Sequence, residues 1–132
     1  MKAILAAIST AVLLAACGTT TTTSSGSAKA STPTQAADGT LIGPDGRTLY
    51  TFSEDKAGSG KSACKSTCAV NWPPLTVASG AAQIGDYTII TREGGVKQWA
   101  FRGMPLYYYA ADKKAGDKRG SGLGGMWTVA KR

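Results

Sequence analysis

Polar and apolar positions divide the chain into three parts with different patterns. An apolar run from Ala3 to Ala16 is broken only by Ser9 and Thr10. A stretch rich in Thr, Ser and Ala follows it and extends to Asp38. From Gly39 onward, short segments with alternating apolar residues are separated by turns that contain glycine or proline. Because no segment shows helical periodicity beyond a turn or two, the predicted fold class is mainly β.

The first half of this β region contains a predicted hairpin and a cysteine pair. Its strands are expected at residues 40–43 and 47–52, and the Pro-Asp-Gly sequence at 44–46 is a typical turn between them. Three residues separate Cys64 from Cys68, a spacing that suits one short helical turn or a tight loop. The double proline at 73–74 would end such a turn.

The second half predicts a three-stranded meander. Residues 87–91 and 96–101 form a hairpin around a Gly-Gly turn, and residues 105–109 supply the third strand. Five glycines between 116 and 125 indicate a loop. A final strand at 126–130 is expected to close the sheet.

One pattern occurs twice, 57 positions apart. Each copy has an aromatic residue two positions after a tyrosine and an aspartate three positions after that. The residues are Tyr50, Phe52 and Asp55 in the first copy and Tyr107, Tyr109 and Asp112 in the second. We therefore expect a small single domain, residues 39–132, built from two tandem β-hairpin or meander repeats at about 39–77 and 84–131.

The N-terminal part predicts export and anchoring. The apolar run is too short for a permanent membrane span, which takes about 20 apolar residues, but it suits a signal peptide over residues 1–16. Its end, Leu14-Ala15-Ala16-Cys17, resembles the bacterial lipobox, which implies cleavage before Cys17 and lipidation of that cysteine. An ordinary secretory signal with an incidental cysteine is the alternative. Residues 17–38 would then form the lipidated cysteine and a flexible tether.

Several partners and locations follow from that resemblance. The lipid anchor implies a membrane as partner, and an envelope polymer or another envelope protein is a further candidate. Gly18, and not an aspartate, follows the cysteine. In a Gram-negative cell, that residue favours the outer membrane.

Cys64 and Cys68 remain as an even pair once Cys17 is acylated. In an exported protein such a pair is usually oxidised, so a disulfide is expected. The chain contains no histidine, which removes the commonest metal ligand and general base. We expect neither a cofactor nor a metal site. The alternative is a redox or copper-binding protein in which Met104 and Met126 assist the two thiols.

Charge adds one more hypothesis. Residues 39–132 contain thirteen Lys or Arg and seven Asp or Glu. The cations are scattered, apart from one group formed by Lys113, Lys114, Lys118 and Arg119. This group is either a solvated face near anionic lipid or a dock for an anionic polymer. Nucleic acid is not an expected partner of an exported lipoprotein.

The doubled pattern, with Trp-Pro-Pro-Leu at 72–75 and Gly-x-Gly-Gly-x-Trp at 122–127, resembles the bacterial lipoproteins with a Yx(FWY)xxD motif. These are also described as a secreted repeat of unknown function. The resemblance implies no established activity. It identifies both copies of the pattern as the family motif, and only the first copy is followed by the cysteines and the double proline.

The motif itself has two interpretations. In the structural one, the aromatic residues bury one strand face and the aspartate accepts backbone N–H groups where the strand turns. In the functional one, the aromatics and an aspartate line a groove for a sugar, a peptide or a cation. With no nucleophile motif and no histidine, we expect no enzyme. The sequence favours a membrane-anchored cell-envelope lipoprotein of unknown activity that serves as a binding or structural module.

Overall fold

A computed structural model describes residues 32–132 of the protein. The predicted signal peptide, Cys17 and residues 17–31 of the predicted tether lie outside the described residues. The elements are β1 (Thr34–Gln35), β2 (Leu41–Ile42), β3 (Tyr50–Phe52), α1 (Thr67–Asn71), β4 (Tyr87–Thr91), β5 (Lys97–Phe101), β6 (Met104–Pro105) and β7 (Trp127–Val129). None of the helices in this part of the chain is long and apolar enough to cross a bilayer.

The strands form three small antiparallel sheets, which confirms the mainly β prediction. β1 pairs with β2, β3 pairs with β7, and β4, β5 and β6 form a meander in chain order. The five-residue helix α1 contains Cys68, so the short helical turn expected beside the cysteine pair is also confirmed. The predicted strands at 40–43 and 105–109 are shorter in the structure, because β2 and β6 have two residues each.

β1 lies before the domain start predicted at residue 39. Thr34 pairs with Ile42, and Gln35 pairs with Leu41. A turn between them explains the pairing: the Asp38 carboxylate accepts the Thr40 N–H at 3.0 Å, and Gly39 has a φ of 86°. Glycine adopts a positive φ without a steric cost. An Asp-Gly turn therefore draws the end of the low-complexity stretch into a hairpin.

The last strand joins the two repeats. β7 pairs with β3, with Tyr50 opposite Val129 and Phe52 opposite Trp127, and it does not extend the second-repeat meander. Just after β7, three backbone hydrogen bonds join three chain segments into a ring. Leu49 donates to Leu41, Ala130 to Leu49, and Leu41 to Ala130, at 2.8–2.9 Å. Two segments of this ring come from the first repeat and one from the second.

A second ring mirrors the first with the repeats exchanged. Leu106 donates to Trp99, Leu75 donates to Leu106, and Trp99 donates to Leu75, at 2.9–3.0 Å. Here Leu75 is the segment contributed by the first repeat. Between the rings, Tyr50 and Tyr107 exchange both backbone hydrogen bonds, at 2.8 and 2.9 Å. The molecule is thus two interlocked copies of one unit, related by an approximate twofold axis.

The core has two parts that follow from this arrangement. The first part contains the residues of both hydrogen-bonded rings, which are all buried: Leu41, Leu49, Leu75, Trp99, Leu106 and Ala130. The second part is mostly aromatic and includes Cys64. Its aromatic members come from the motif strands and from the segments around Trp72 and Trp127, so both repeats contribute.

Candidate functional site

The two motif tyrosines reach the aspartate of the opposite repeat. The Tyr50 hydroxyl donates to Oδ2 of Asp112 across 2.6 Å, and the Tyr107 hydroxyl donates to Oδ2 of Asp55 across 2.6 Å. All four residues are buried, the aspartates with 5% or less of their surface exposed. A hydrogen bond to an ionised acceptor is about twice as strong as a neutral one. We name these contacts the reciprocal Tyr–Asp pairs.

The second oxygen of each aspartate accepts a backbone N–H. Asp55 accepts from Ala63 at 2.6 Å, and Asp112 accepts from Arg119 at 2.9 Å. The donors lie eight and seven residues further along the chain. Each aspartate therefore fixes the loop that follows its own copy of the motif while it binds the tyrosine of the other repeat. The acceptor role matches the structural interpretation of the motif, but the donor lies well beyond the strand turn.

Burial governs the protonation of both tyrosines. Loss of solvation raises the pKa of Tyr50 far above its ordinary value of 10.0, and the hydrogen bond to Asp112 raises it further. The same two causes, with Asp55 as acceptor, raise the pKa of Tyr107. A buried phenol that donates to a carboxylate resists ionisation because a second negative charge would be created beside the first. Both hydroxyls stay protonated donors at neutral pH.

A column of four stacked rings runs through the aromatic core. Phe52 stacks on Trp127 at 4.4 Å between ring centroids, Trp127 on Trp72 at 3.7 Å, and Trp72 on Tyr109 at 4.4 Å. The stacking order agrees with the same approximate twofold axis, which relates Trp72 to Trp127 and Phe52 to Tyr109. The two tyrosines of the reciprocal pairs pack edge-on against the column, since Tyr50 meets Trp72 and Tyr107 meets Trp127, both at 5.3 Å. Trp127 lies between Phe52 and Trp72 and stacks on both.

One end of this column reaches the surface. Tyr109 is half-buried and, with Trp72 and Trp127, lines an open depression of about 340 Å³. Leu123 and Met126 border it, each with 40% of its surface exposed. Of the six motif residues, Tyr109 alone lines this surface. The groove interpretation therefore applies to Tyr109, whereas Tyr50, Phe52, Tyr107 and both aspartates are interior.

Cys64 and Cys68 form a disulfide, with sulfur atoms 2.01 Å apart. Cys64 is fully buried against the aromatic core, and Cys68 is half-buried. Both sulfurs are bonded, so a thiolate for copper would exist only after reduction. Among residues 32–132, no group of three or more His, Cys, Asp or Glu side chains is placed to hold a metal ion.

Arg92 is a site residue that the sequence prediction missed. Its Nη1 donates to Oγ of Ser62 at 2.7 Å and to Oε1 of Gln98 at 2.8 Å, and its Nη2 donates to the Cys64 carbonyl. The Ser62 hydroxyl in turn lies 2.7 Å from the Tyr107 hydroxyl. The guanidinium thus braces the disulfide loop against the second repeat. A single arginine before a Gly-Gly turn gives no sequence signal for this role.

The basic group at 113–119 is partly neutralised. Lys118 forms an ion pair of 2.5 Å with Asp38, and hydrogen bonding to Lys118 holds the pKa of Asp38 below its usual range. Asp117 accepts the backbone N–H groups of Lys113 and Lys114. Three of the four cations, Lys113, Lys114 and Arg119, make no ion pair with a described residue, and the Lys113 ammonium donates to the Ala110 carbonyl. The group is exposed and forms no enclosed site of its own.

Comparison with known proteins places the chain in a family. A family described as a secreted repeat of unknown function matches residues 32–76 and again residues 88–131. The chain belongs to this family. The two matches confirm the two-repeat organisation of the secreted repeat, and the first begins just before β1. No curated protein and no solved structure matches the chain.

Membership in a family of secreted repeats indicates export. The description gives no activity, so the function of this secreted repeat rests on the chemistry of its own residues. That chemistry consists of the reciprocal Tyr–Asp pairs, the ring column, the disulfide and the surface around Arg92.

Proposed function

We propose that this secreted repeat is a lipid-anchored binding or structural module of the cell envelope and that it catalyses no reaction. The observation that supports this most is the use of the repeated motif. Its two aspartates and two of its tyrosines are buried in contacts that hold the repeats together. Residues used in this way are not free to act on a substrate, so binding falls to the surface side chains.

The contacts of the two motif carboxylates support the proposal that the protein is not a catalyst. A general acid or base must reach the proton that it transfers, directly or through one water. Asp55 and Asp112 each accept a tyrosine hydroxyl and a backbone N–H, which occupies both carboxylate oxygens. Neither aspartate has more than 5% of its surface exposed. We therefore assign both aspartates to structure.

Anchoring is assigned to Cys17. Two or three acyl chains on one cysteine hold a protein durably, because each buried CH₂ contributes about 0.8 kcal/mol. Mass spectrometry of the exported protein should find a mature chain that begins at an acylated Cys17. The Cys17→Ala variant should appear in the soluble fraction. A chain that retains residues 1–16 with an unmodified Cys17 would contradict the anchor.

Binding is tested with the mature exported protein and purified envelope components. Peptidoglycan, teichoic acid and neutral polysaccharide fragments are presented separately, and both retention and fragment size are measured. We expect retention on at least one of them with its chain length unchanged. Release of shorter fragments would overturn the absence of catalysis, and retention on none of them would overturn the binding role.

A further inference from the structure

Two adjoining depressions of about 240 and 360 Å³ lie between the disulfide loop and the turn after β4. They share Ser62, Lys65, Arg92 and Glu93, and Lys61 and Ser66 extend the lining. We name this surface the cationic pocket. It has no counterpart in the motif or in the basic group at 113–119, and its residues come from both repeats.

Arg92 is held in this pocket with part of its hydrogen-bonding capacity unused. Three of its five N–H groups donate to Ser62, Gln98 and the Cys64 carbonyl. The Nε–H and one Nη2–H donate to no residue in the 32–132 range. No carboxylate among the described residues pairs with the guanidinium. A fixed, half-buried guanidinium with free donors suits a bidentate oxyanion contact.

The charge around Arg92 favours an anion as well. Lys61, Lys65 and Arg92 bring three positive charges to the lining, and Glu93 brings one negative charge. The Glu93 carboxylate pairs with Lys65 at 2.7 Å but has 78% of its side chain exposed. It is therefore a loosely held carboxylate. Surface ion pairs of this kind contribute about 1 kcal/mol or less.

We propose that the cationic pocket binds a phosphodiester group of an anionic envelope polymer. The proposal rests on the proposed function, for which it names the class of partner. Phosphate oxygens accept hydrogen bonds in several directions and match both the guanidinium fork and the flanking ammonium groups. The Ser66 hydroxyl lines the same space and supplies a further polar contact, whereas the Ser62 hydroxyl is already bonded to Arg92.

The test uses the mature exported protein and a defined probe, an oligomer of poly(glycerol phosphate). Its dissociation constant is measured by calorimetry or fluorescence at low and at physiological ionic strength. Arg92 also holds the disulfide loop, so the exposed lysines are changed instead. We expect Lys61→Gln combined with Lys65→Gln to weaken binding about tenfold. Binding should also weaken as salt is added.

Two matched controls separate the pocket from general electrostatics. Lys113→Gln combined with Lys114→Gln removes the same charge from the other basic surface and should change the affinity less than twofold. Glu93→Gln removes the competing carboxylate and should tighten binding several-fold, whereas Glu54→Gln, an equal charge change at an exposed position, should not.

The source of the phosphodiester is distinguished by a second probe, vesicles that contain phosphatidylglycerol. If only the vesicles are bound and the pocket variants lose that binding, the site recognises a lipid headgroup and the polymer assignment is wrong. If the two double lysine variants lost affinity equally, binding would not be specific to the cationic pocket and the proposal would be wrong. Retention on neutral polysaccharide alone would leave the binding module standing and overturn this inference.

Discussion

A buried carboxylate is costly unless its oxygens accept hydrogen bonds, and in both aspartates of the motif each oxygen accepts one. Each binds the tyrosine of the other repeat through one oxygen and a loop N–H through the other. Sequence reasoning predicts the backbone contact from the aspartate's place after a strand. It does not predict the tyrosine partner, because Asp55 lies five residues from Tyr50 along the chain but contacts Tyr107.

The reciprocal Tyr–Asp pairs should make the protein sensitive to alkali. Burial raises the pKa of Tyr50 and Tyr107 above the ordinary value of 10.0 that an unfolded chain retains. Below pH 10 both states are protonated, and above it only the unfolded state releases protons. The free energy of unfolding should therefore fall above about pH 10, by up to about 1.4 kcal/mol per pH unit for each tyrosine. Urea unfolding between pH 7 and pH 11 measures this fall.

Phenylalanine variants identify the tyrosines responsible. Tyr50→Phe and Tyr107→Phe should each cost about 1–3 kcal/mol at pH 7, since an aspartate loses a buried donor. Each should also make the alkaline fall shallower, and the double variant should reduce it most. If the free energy of unfolding of the double variant fell as steeply with pH as that of the wild type, groups other than these two tyrosines would cause the fall.

At the scale of elements, the ring column depends on a close approach by the loop that precedes β7. A Cβ added to Gly120 would lie 2.6 Å from Cη2 of Trp72 and 3.0 Å from Cγ of Tyr109. Gly120 is buried, and its N–H also points to the Tyr50 hydroxyl at 3.3 Å. The glycine-rich loop is thus not only a connection, because Gly120 allows its backbone to pack directly against Trp72 and Tyr109.

Gly120→Ala should disturb the column and lower the free energy of unfolding by about 1–3 kcal/mol, the usual cost of overpacking. The coupled near-ultraviolet circular dichroism signal of Trp72 and Trp127 should decrease at the same time. Ser121→Ala, at the adjacent exposed position, is the matched control and should leave both measurements unchanged. A Gly120→Ala variant with wild-type stability and an unchanged circular dichroism signal would show that the loop can shift without cost and that the column does not depend on this close approach.

Elements formed by neighbouring segments were the most predictable part of this fold. The hairpin of β4 and β5 follows directly from alternation around a Gly-Gly turn, and its register places Ile89 opposite Trp99. β1 was not predicted, since its residues belong to a low-complexity stretch and become ordered through the Asp-Gly turn. The cationic pocket was not predicted either, because Lys61 and Arg92 come together only through the tertiary fold.

At the scale of the whole molecule, the sequence predicts two copies of a unit but not their exchange of strands. Each hydrogen-bonded ring takes its third segment from the other repeat, Ala130 in one case and Leu75 in the other. The spacing of residues along the chain reflects local geometry. It is the same whether the strands of a repeat pair within that repeat or with strands of the other repeat. The exchange therefore becomes visible only in the structure.

This exchange implies that neither repeat is a folding unit. A cut at the exposed turn between Ser79 and Gly80 yields one fragment that ends at Ser79 and a second, 80–132. Alone, each fragment lacks the third segment of its hydrogen-bonded ring. It also lacks two of the four stacked aromatic side chains and the hydrogen-bonding partners of its motif tyrosine and aspartate. Folding of a chain this small depends on burying most of its apolar surface, so we expect each fragment to be unfolded.

Mixing the two fragments in equal amounts should restore the native near-ultraviolet circular dichroism spectrum, with a concentration dependence that the uncut chain lacks. Tyr107→Phe in the second fragment should weaken the association about tenfold or more, because the hydrogen bond that it removes now lies between two molecules. A fragment that folds alone as a monomer would mean that the repeats are merely adjacent.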